Sequence, residues 1–201
     1  MPETQSRRRG RPRGSTRERI LDVALELFGE QGYENTSLRD IADRLGVTKA
    51  ALYYHFERKE DILLELHLRV HALGRDALDE LAGLNDAQER ADAWPGVLNR
   101  FIDQLIDNRD LLLVQVRNSR ALEHIGNDER HRAENEDILQ KVGQLLGSPE
   151  IPLEQRVRIA CSIGAVMSVV AGAGGPFAEV PPAELAELAR AAVRDLTAPR
   201  P

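Results

Sequence analysis

The chain has 201 residues, of which 42% are apolar, 4% aromatic and 30% charged, with a net charge of −6 and one cysteine. That length and apolar share suit two compact units and exclude a wholly disordered chain. A single cysteine, Cys161, excludes an intrachain disulfide and fits a reducing cytosol.

The charge is unevenly placed. Residues 1–19 hold seven arginines against Glu3 and Glu18, a local +5; residues 1–60 sum to +2 and the remaining 141 to −8. Such asymmetry points to one end that meets phosphate and another that does not. Within the arm, Arg9-Gly10-Arg11-Pro12 resembles the core of an AT-hook. Glycine and proline keep the chain thin while Arg9, Arg11 and Arg13 enter a narrow, electronegative minor groove. The alternative is a solvated tail or a targeting run; ahead of the elements that follow, a groove-binding arm over 1–14, disordered until DNA is present, is the better reading. No apolar stretch follows the basic run as a signal peptide requires.

Thr16 to Phe28 reads as a helix with Ile20, Ala24, Leu27 and Phe28 on its apolar stripe and Ser15 or Thr16 as cap. Gly32 and Asn35 mark a turn. From Ser37 to Leu45, the apolar residues Leu38, Ile41, Ala42 and Leu45 recur at one-face helical spacing, with Ser37 and Asp40 placed as a capping box. Gly46 supplies a left-handed turn, and Thr48 caps a second helix at once, with Val47 free to staple onto Leu52. So short a turn forces the two helices to cross steeply, the geometry of a helix-turn-helix over residues 37–56. The outer face of the second helix carries Lys49, Ala50, Tyr53 and Tyr54, with His55 beside it and almost no acid. Large exposed aromatics mark a surface that something covers, and with the basic arm the expected cover is DNA.

The run ALELFGEQGYENTSLRDIADRLGVTKAALYYHFERKEDIL resembles the N-terminal domain of the TetR family of transcriptional regulators over about residues 15–63. The resemblance rests on the spacing of Phe28, Gly32, Tyr33, Thr36, Ile41, Ala42, Gly46, Val47, Leu52, Tyr53, Phe56, Lys59 and Leu63. It implies a recognition helix in the major groove, with Lys49 donating to guanine O6 and N7 and Ala50 allowing close approach. It further implies that Tyr53 packs on a base and reaches phosphate, that Tyr54, His55 and Lys59 contact the backbone, and that Thr36, Ser37, Arg39 and Thr48 meet phosphate at the helix fronts.

Beyond the motif, helical segments are expected at Lys59 to about Leu81, then 87–107, 110–124, 128–146, 153–172 and 182–197, and no stretch alternates as a strand does. The fold expected is all-α: a three-helix head over 15–74 and a larger helical ligand-binding and dimerisation domain over 75–201. In the last two helices, Ala160, Gly164, Ser168 and Gly172 form a small-residue stripe, and Leu185, Leu188, Ala189, Ala192, Val193 and Leu196 a broad apolar face. By resemblance these helices pair with their symmetry mates in a homodimer, as readers of two half-sites require; the alternative is burial within one subunit. By resemblance, too, a small molecule enters the helical domain and releases the protein from its operator. Trp94, Phe101, Leu105, Leu113, Val116, Arg117, His124 and Met167 lie on the segments where such pockets form.

Rival readings are weaker. Residues 159–178 carry no charge over 20 positions, yet Gly174-Gly175-Pro176 would break a membrane span there. His67 and His71 have metal-ligand spacing, with Glu65 and His124 as possible company, but such pairs on a helix are usually solvated, so no metal or other cofactor is expected. No catalytic constellation can be assembled, which argues against an enzyme. A purely architectural DNA binder would leave about 120 helical residues without a task. The sequence therefore reads as a cytoplasmic, dimeric, ligand-released repressor of the helix-turn-helix class.

Overall fold

The computed structural model describes residues 15–125, 128–172 and 175–198, with the side chains of residues 123–125 and 171 outside the description. The described residues form ten helices and no strand: α1 (Thr16–Glu30), α2 (Leu38–Leu45), α3 (Lys49–His55), α4 (Lys59–Ala82), α5 (Ala87–Asp107), α6 (Arg109–Arg117), α7 (Ser119–Ile125), α8 (Glu129–Gly147), α9 (Leu153–Gly172) and α10 (Pro182–Thr197).

Local chemistry sets most of these boundaries. Ser15 and Glu18 close a capping box at the front of α1: the Glu18 amide donates to Ser15 Oγ at 3.3 Å and the Ser15 amide to Glu18 Oε2 at 2.6 Å. Ser37 and Asp40 do the same for α2. Gly46, at φ +72°, turns the chain out of α2, and the Val47 amide closes the end on the Ala42 carbonyl at 3.0 Å. One expected helix proves to be two. The segment read as 110–124 breaks at Asn118, whose Nδ2 donates to the Val114 carbonyl at 2.7 Å. Asn108 ends α5 in the same way, on the Gln104 carbonyl at 2.8 Å. Each amide side chain occupies a carbonyl of the last turn, so the helix stops there.

Two hydrophobic cores result. The first gathers Ile20, Leu27, Phe28, Ile41, Leu52, Phe56, Ile62 and Leu66 of the head, and it also takes in Leu111 and Val114 from α6. The second lies among the later half of α4 and α5, α8, α9 and α10, with Trp94, Val97, Ile102, Ile159 and Val193 buried in it. Helix α4 runs through both; its 24 residues span about 36 Å at 1.5 Å per residue. Polar clasps fix α8 along it: Arg130 to Glu65 at 2.9 Å, Arg75 to Glu134, and Lys141 to Asp79 at 2.5 Å.

Helix α9 ends at Gly172, where an added Cβ would stand 2.5 Å from the Phe177 ring. This position is filled by its own chain and so leaves the small-residue stripe, while Ala160, Gly164 and Ser168 face outward. No helix among the described residues is long and apolar enough to cross a membrane.

Candidate functional site

The outer face of α3 is built by what its inner face buries. Leu52 is wholly inside the head core, and Thr48 caps the helix by accepting from the Ala51 amide at 3.2 Å. Lys49, Ala50 and Tyr53 are left in the open, and Tyr54 is 86% exposed. The Lys49 ammonium stands 5.3 Å from the centre of the Tyr53 ring, a cation–π contact that holds both side chains on one face. His55 is half-buried and meets the Tyr54 ring edge-on at 5.2 Å. Arg39 is exposed on α2 with only a loose pairing to Asp43 at 3.6 Å. Ser37 is exposed, but its hydroxyl donates to Asp40 at 2.8 Å. These two Ser37 bonds, backbone first, hold the Asp40 carboxyl below its ordinary range.

Thr36 departs from the expectation drawn for it. It is 2% exposed, and its hydroxyl donates inward to the Gly32 carbonyl at 2.8 Å. Its side chain locks the α1–α2 turn and is not offered to a phosphate. Lys59 is partly covered as well: its ammonium donates to the Tyr33 carbonyl at 2.6 Å and lies 4.0 Å above the Tyr33 ring. Arg9, Arg11 and Arg13 lie outside the described residues.

A cavity of about 300 Å³ opens among α4, α5, α8 and α9. Trp94, Phe101 and Met167 line it, together with Val70, Leu78, Val97, Ile138 and Ile163; His71 and Asn135 are its polar side chains. Leu105 lines instead a smaller cavity of about 50 Å³ among α5, α6, α9 and α10. Leu113, Val116 and Arg117 line neither cavity. The reason is the course of α6, which packs on the head: Leu111 and Val114 enter the first core, and Arg117 donates to the Gly29 carbonyl at 3.4 Å. The side chain of His124 lies outside the described residues.

The histidines differ most from the sequence expectation. His67 and His71 are half-buried, not solvated, and the third histidine beside them is His131 of α8. Burial holds His67 below its ordinary value, and burial with the neighbouring His67 and His131 pushes His71 down to about 4. His131 gave no local signal, because it is 60 residues away and reaches the pair only through the packing of α8 on α4.

On α9 and α10, Leu153, Val157 and Leu188 are more than half exposed, and Cys161 is exposed beside them. Within one chain this apolar face is uncovered, and Cys161 lies on it.

Two short helices joined through Gly46, the second with an acid-free outer face, set on a larger helical body around an apolar cavity, define a helix-turn-helix protein with a three-helix head. The sequence model described as "Bacterial regulatory proteins, tetR family" matches residues 20–66. The chain is 53% identical over 51 residues to the HTH-type transcriptional regulator AcrR of Shigella flexneri, covering 25% of this chain and 24% of that protein. It is 46% identical over 46 residues to the biofilm operon icaADBC HTH-type negative transcriptional regulator IcaR of Staphylococcus epidermidis, covering 23% and 25%. The chain thus spans about a quarter of the length of the curated relatives it matches. Likeness in three dimensions extends much further. The crystal structure of Mycobacterium smegmatis AmtR superposes with a TM-score of 0.65 at 27% identity, over 95% of this chain and 90% of that one. A complex of SmeT with triclosan does so with a TM-score of 0.68 at 25% identity, over 92% and 91%. The match to the tetR family of bacterial regulatory proteins thus lies in residues 20–66, while the likeness of fold extends over nearly the whole chain.

Proposed function

We propose that this protein is a sequence-specific, DNA-binding transcriptional regulator, a dimeric repressor released from its operator by a small molecule. The observation that carries the reading is the outer face of α3, where Lys49, Ala50, Tyr53 and Tyr54 stand open and no acid intervenes. Lys49 reads a guanine edge, and Tyr53 packs beside it. Ser37, Arg39, Thr48, Tyr54, His55 and Lys59 hold the backbone, with Lys59 leaving the Tyr33 carbonyl to do so. Arg9, Arg11 and Arg13 follow the minor groove. The head comprises residues 15–74, and residues 75–201 form the effector and dimerisation domain.

The exposed apolar face of α9 and α10 takes the same face of a second copy, which brings two recognition helices to half-sites about one DNA turn apart. The effector occupies the larger cavity, an apolar space with His71 and Asn135 as polar anchors. SmeT, with a similar fold, holds triclosan in its complex, which supports a small apolar effector here. Release requires that the effector bind the DNA-incompetent arrangement more tightly, since equal affinity for both would shift nothing. A regulator of this kind works in the cytoplasm.

The test is a footprint of the purified protein on DNA flanking its own gene, in moderate salt. A protected imperfect palindrome is the expected result. Salt-sensitive binding to all DNA without a footprint would replace this reading with an architectural one.

A further inference from the structure

We infer that His67, His71 and His131 form a three-imidazole site for a divalent transition-metal ion of the zinc class, bridging α4 and α8 at the wall of the larger cavity. This inference stands apart from the DNA-binding reading.

The geometry comes from two helices. His67 and His71 are one turn apart on α4 and share a face, with ring centres 4.5 Å apart. His131, in the first turn of α8, brings its ring to 4.8 Å from His67 and 5.2 Å from His71. Each residue offers one ring nitrogen, and the three lie within 4.8 Å of one another. His67 Nε2 and His131 Nδ1 are already 3.1 Å apart. Two nitrogens bound to zinc at about 2.0–2.1 Å in a tetrahedral set stand about 3.3–3.4 Å apart, so a small rotation of either ring admits an ion.

The surroundings suit that role. His67 Nδ1 lies 2.7 Å from Gln115 Oε1. Donating its proton there leaves the Nε2 lone pair free and fixes the ring, as an outer partner of a ligating histidine does. Without metal, His131 Nδ1–H donates to that lone pair; when Nδ1 coordinates, the proton moves to His131 Nε2, so the imidazole stays neutral and no net proton is released. His71 Nδ1 is buried with no hydrogen-bond partner among the described residues, an orphan that the fold alone leaves unexplained. The neighbouring Arg75 and Glu134 neutralise each other in an ion pair. Neutral nitrogen donors without a carboxylate select zinc, cobalt or nickel over magnesium or calcium. Three protein ligands leave room for a fourth donor, and since His71 also lines the cavity, water or an enclosed small molecule can supply it.

The test uses the full-length, tag-free protein after treatment with a chelator. Zn²⁺ is titrated by calorimetry and Co²⁺ by its visible absorption, each alone. One equivalent is expected to bind, with cobalt bands of a four- or five-coordinate nitrogen site. His131→Gln should weaken binding roughly 100-fold or more, and Gln115→Ala by about 10–100-fold, as loss of an outer partner does. Circular dichroism and Tm identify any variant that fails to fold, and Gln115→Ala leaves all three ligands in place. Binding weaker than about 1 mM, or binding unchanged in folded His131→Gln and His71→Asn, would overturn the site. The readout is the metal alone, so failure of the operator footprint would not affect it.

Discussion

Arg17 holds Glu65 by both carboxylate oxygens, Nη1 to Oε2 at 2.9 Å and Nη2 to Oε1 at 2.8 Å. The same guanidinium lies 4.8 Å above the Phe56 ring at the end of α3, and Arg130 of α8 adds a third contact to Glu65 at 2.9 Å. One carboxylate on α4 thus ties the head to the helical body. The hydrogen bond from Arg17 is the main reason the Glu65 carboxyl sits below its ordinary range. Glu65→Gln should lower stability by about 1–2 kcal/mol, because two partly covered guanidiniums lose their counter-charge. In urea unfolding, the double variant Glu65→Gln/Arg17→Ala should lose less stability than the two single losses summed. Strict additivity would mean that the pair is not coupled.

Gly46→Ala should cost about 1–2 kcal/mol. A Cβ there meets nothing within 4 Å, so the loss arises from the backbone alone, at φ +72°. Gly46→Asn should recover part of it, since asparagine tolerates the left-handed region better. Paired thermal melts decide the matter; equal losses for both substitutions would point to side-chain bulk instead.

Trp94 is the one tryptophan of the chain, and its indole N–H donates at 2.8 Å to Ser162, which in turn donates to the Ile159 carbonyl at 2.7 Å. Ser162→Ala should cost about 1–3 kcal/mol by leaving the buried indole without a partner. Trp94 also lines the larger cavity, so the same substitution should shift the emission of the only indole. Unchanged emission would show that another acceptor takes over.

Asp40 carries a pH signature. Its folded-state carboxyl lies below the ordinary value, first through the Ser37 amide and then through the Ser37 hydroxyl. The unfolded chain therefore takes up its proton first as pH falls. The capping contribution is complete above about pH 4 and is lost on further acidification through the lower folded value. Asp40→Asn should destabilise the protein at neutral pH, and the gap between the two proteins should narrow in acid. A gap that is constant down to pH ~3 would sink this assignment.

Lys49→Ala should weaken binding to the specific operator by ~1–3 kcal/mol and relax base choice at one position, with little change on unrelated DNA. Competition titrations on operator variants measure this directly. An equal loss on every sequence would assign Lys49 to phosphate.

What the sequence made legible follows from how local each signal is. Caps, glycine turns and helical spacing act within a few residues, so Ser37, Gly46 and Thr48 could be assigned their places in advance, and with them the helix-turn-helix, while the cap of α1 was narrowed to Ser15 or Thr16. The break at Asn118 was missed because an interior asparagine is compatible with a continuing helix until its side chain takes a carbonyl. Thr36 was expected, by resemblance, to meet phosphate, yet its side chain is buried and donates to the Gly32 carbonyl. The wall of the cavity and the arrival of His131 depend on α4, α5, α8 and α9 meeting across long sequence separations. No periodicity within any one of those helices records which neighbour it will face.

The place of Leu111 and Val114 in the first core bears on how such proteins can be recombined. A head cut out at the end of its sequence match, residue 66, and grafted onto a foreign body would arrive with an unfilled recess where these two side chains belong. Loss of two buried aliphatic contacts costs several kcal/mol, on the order of 2–5 for each large side chain. Heads and bodies of this architecture are therefore interchangeable only when the graft carries a matching α6, and the two parts must be inherited as a fitted pair.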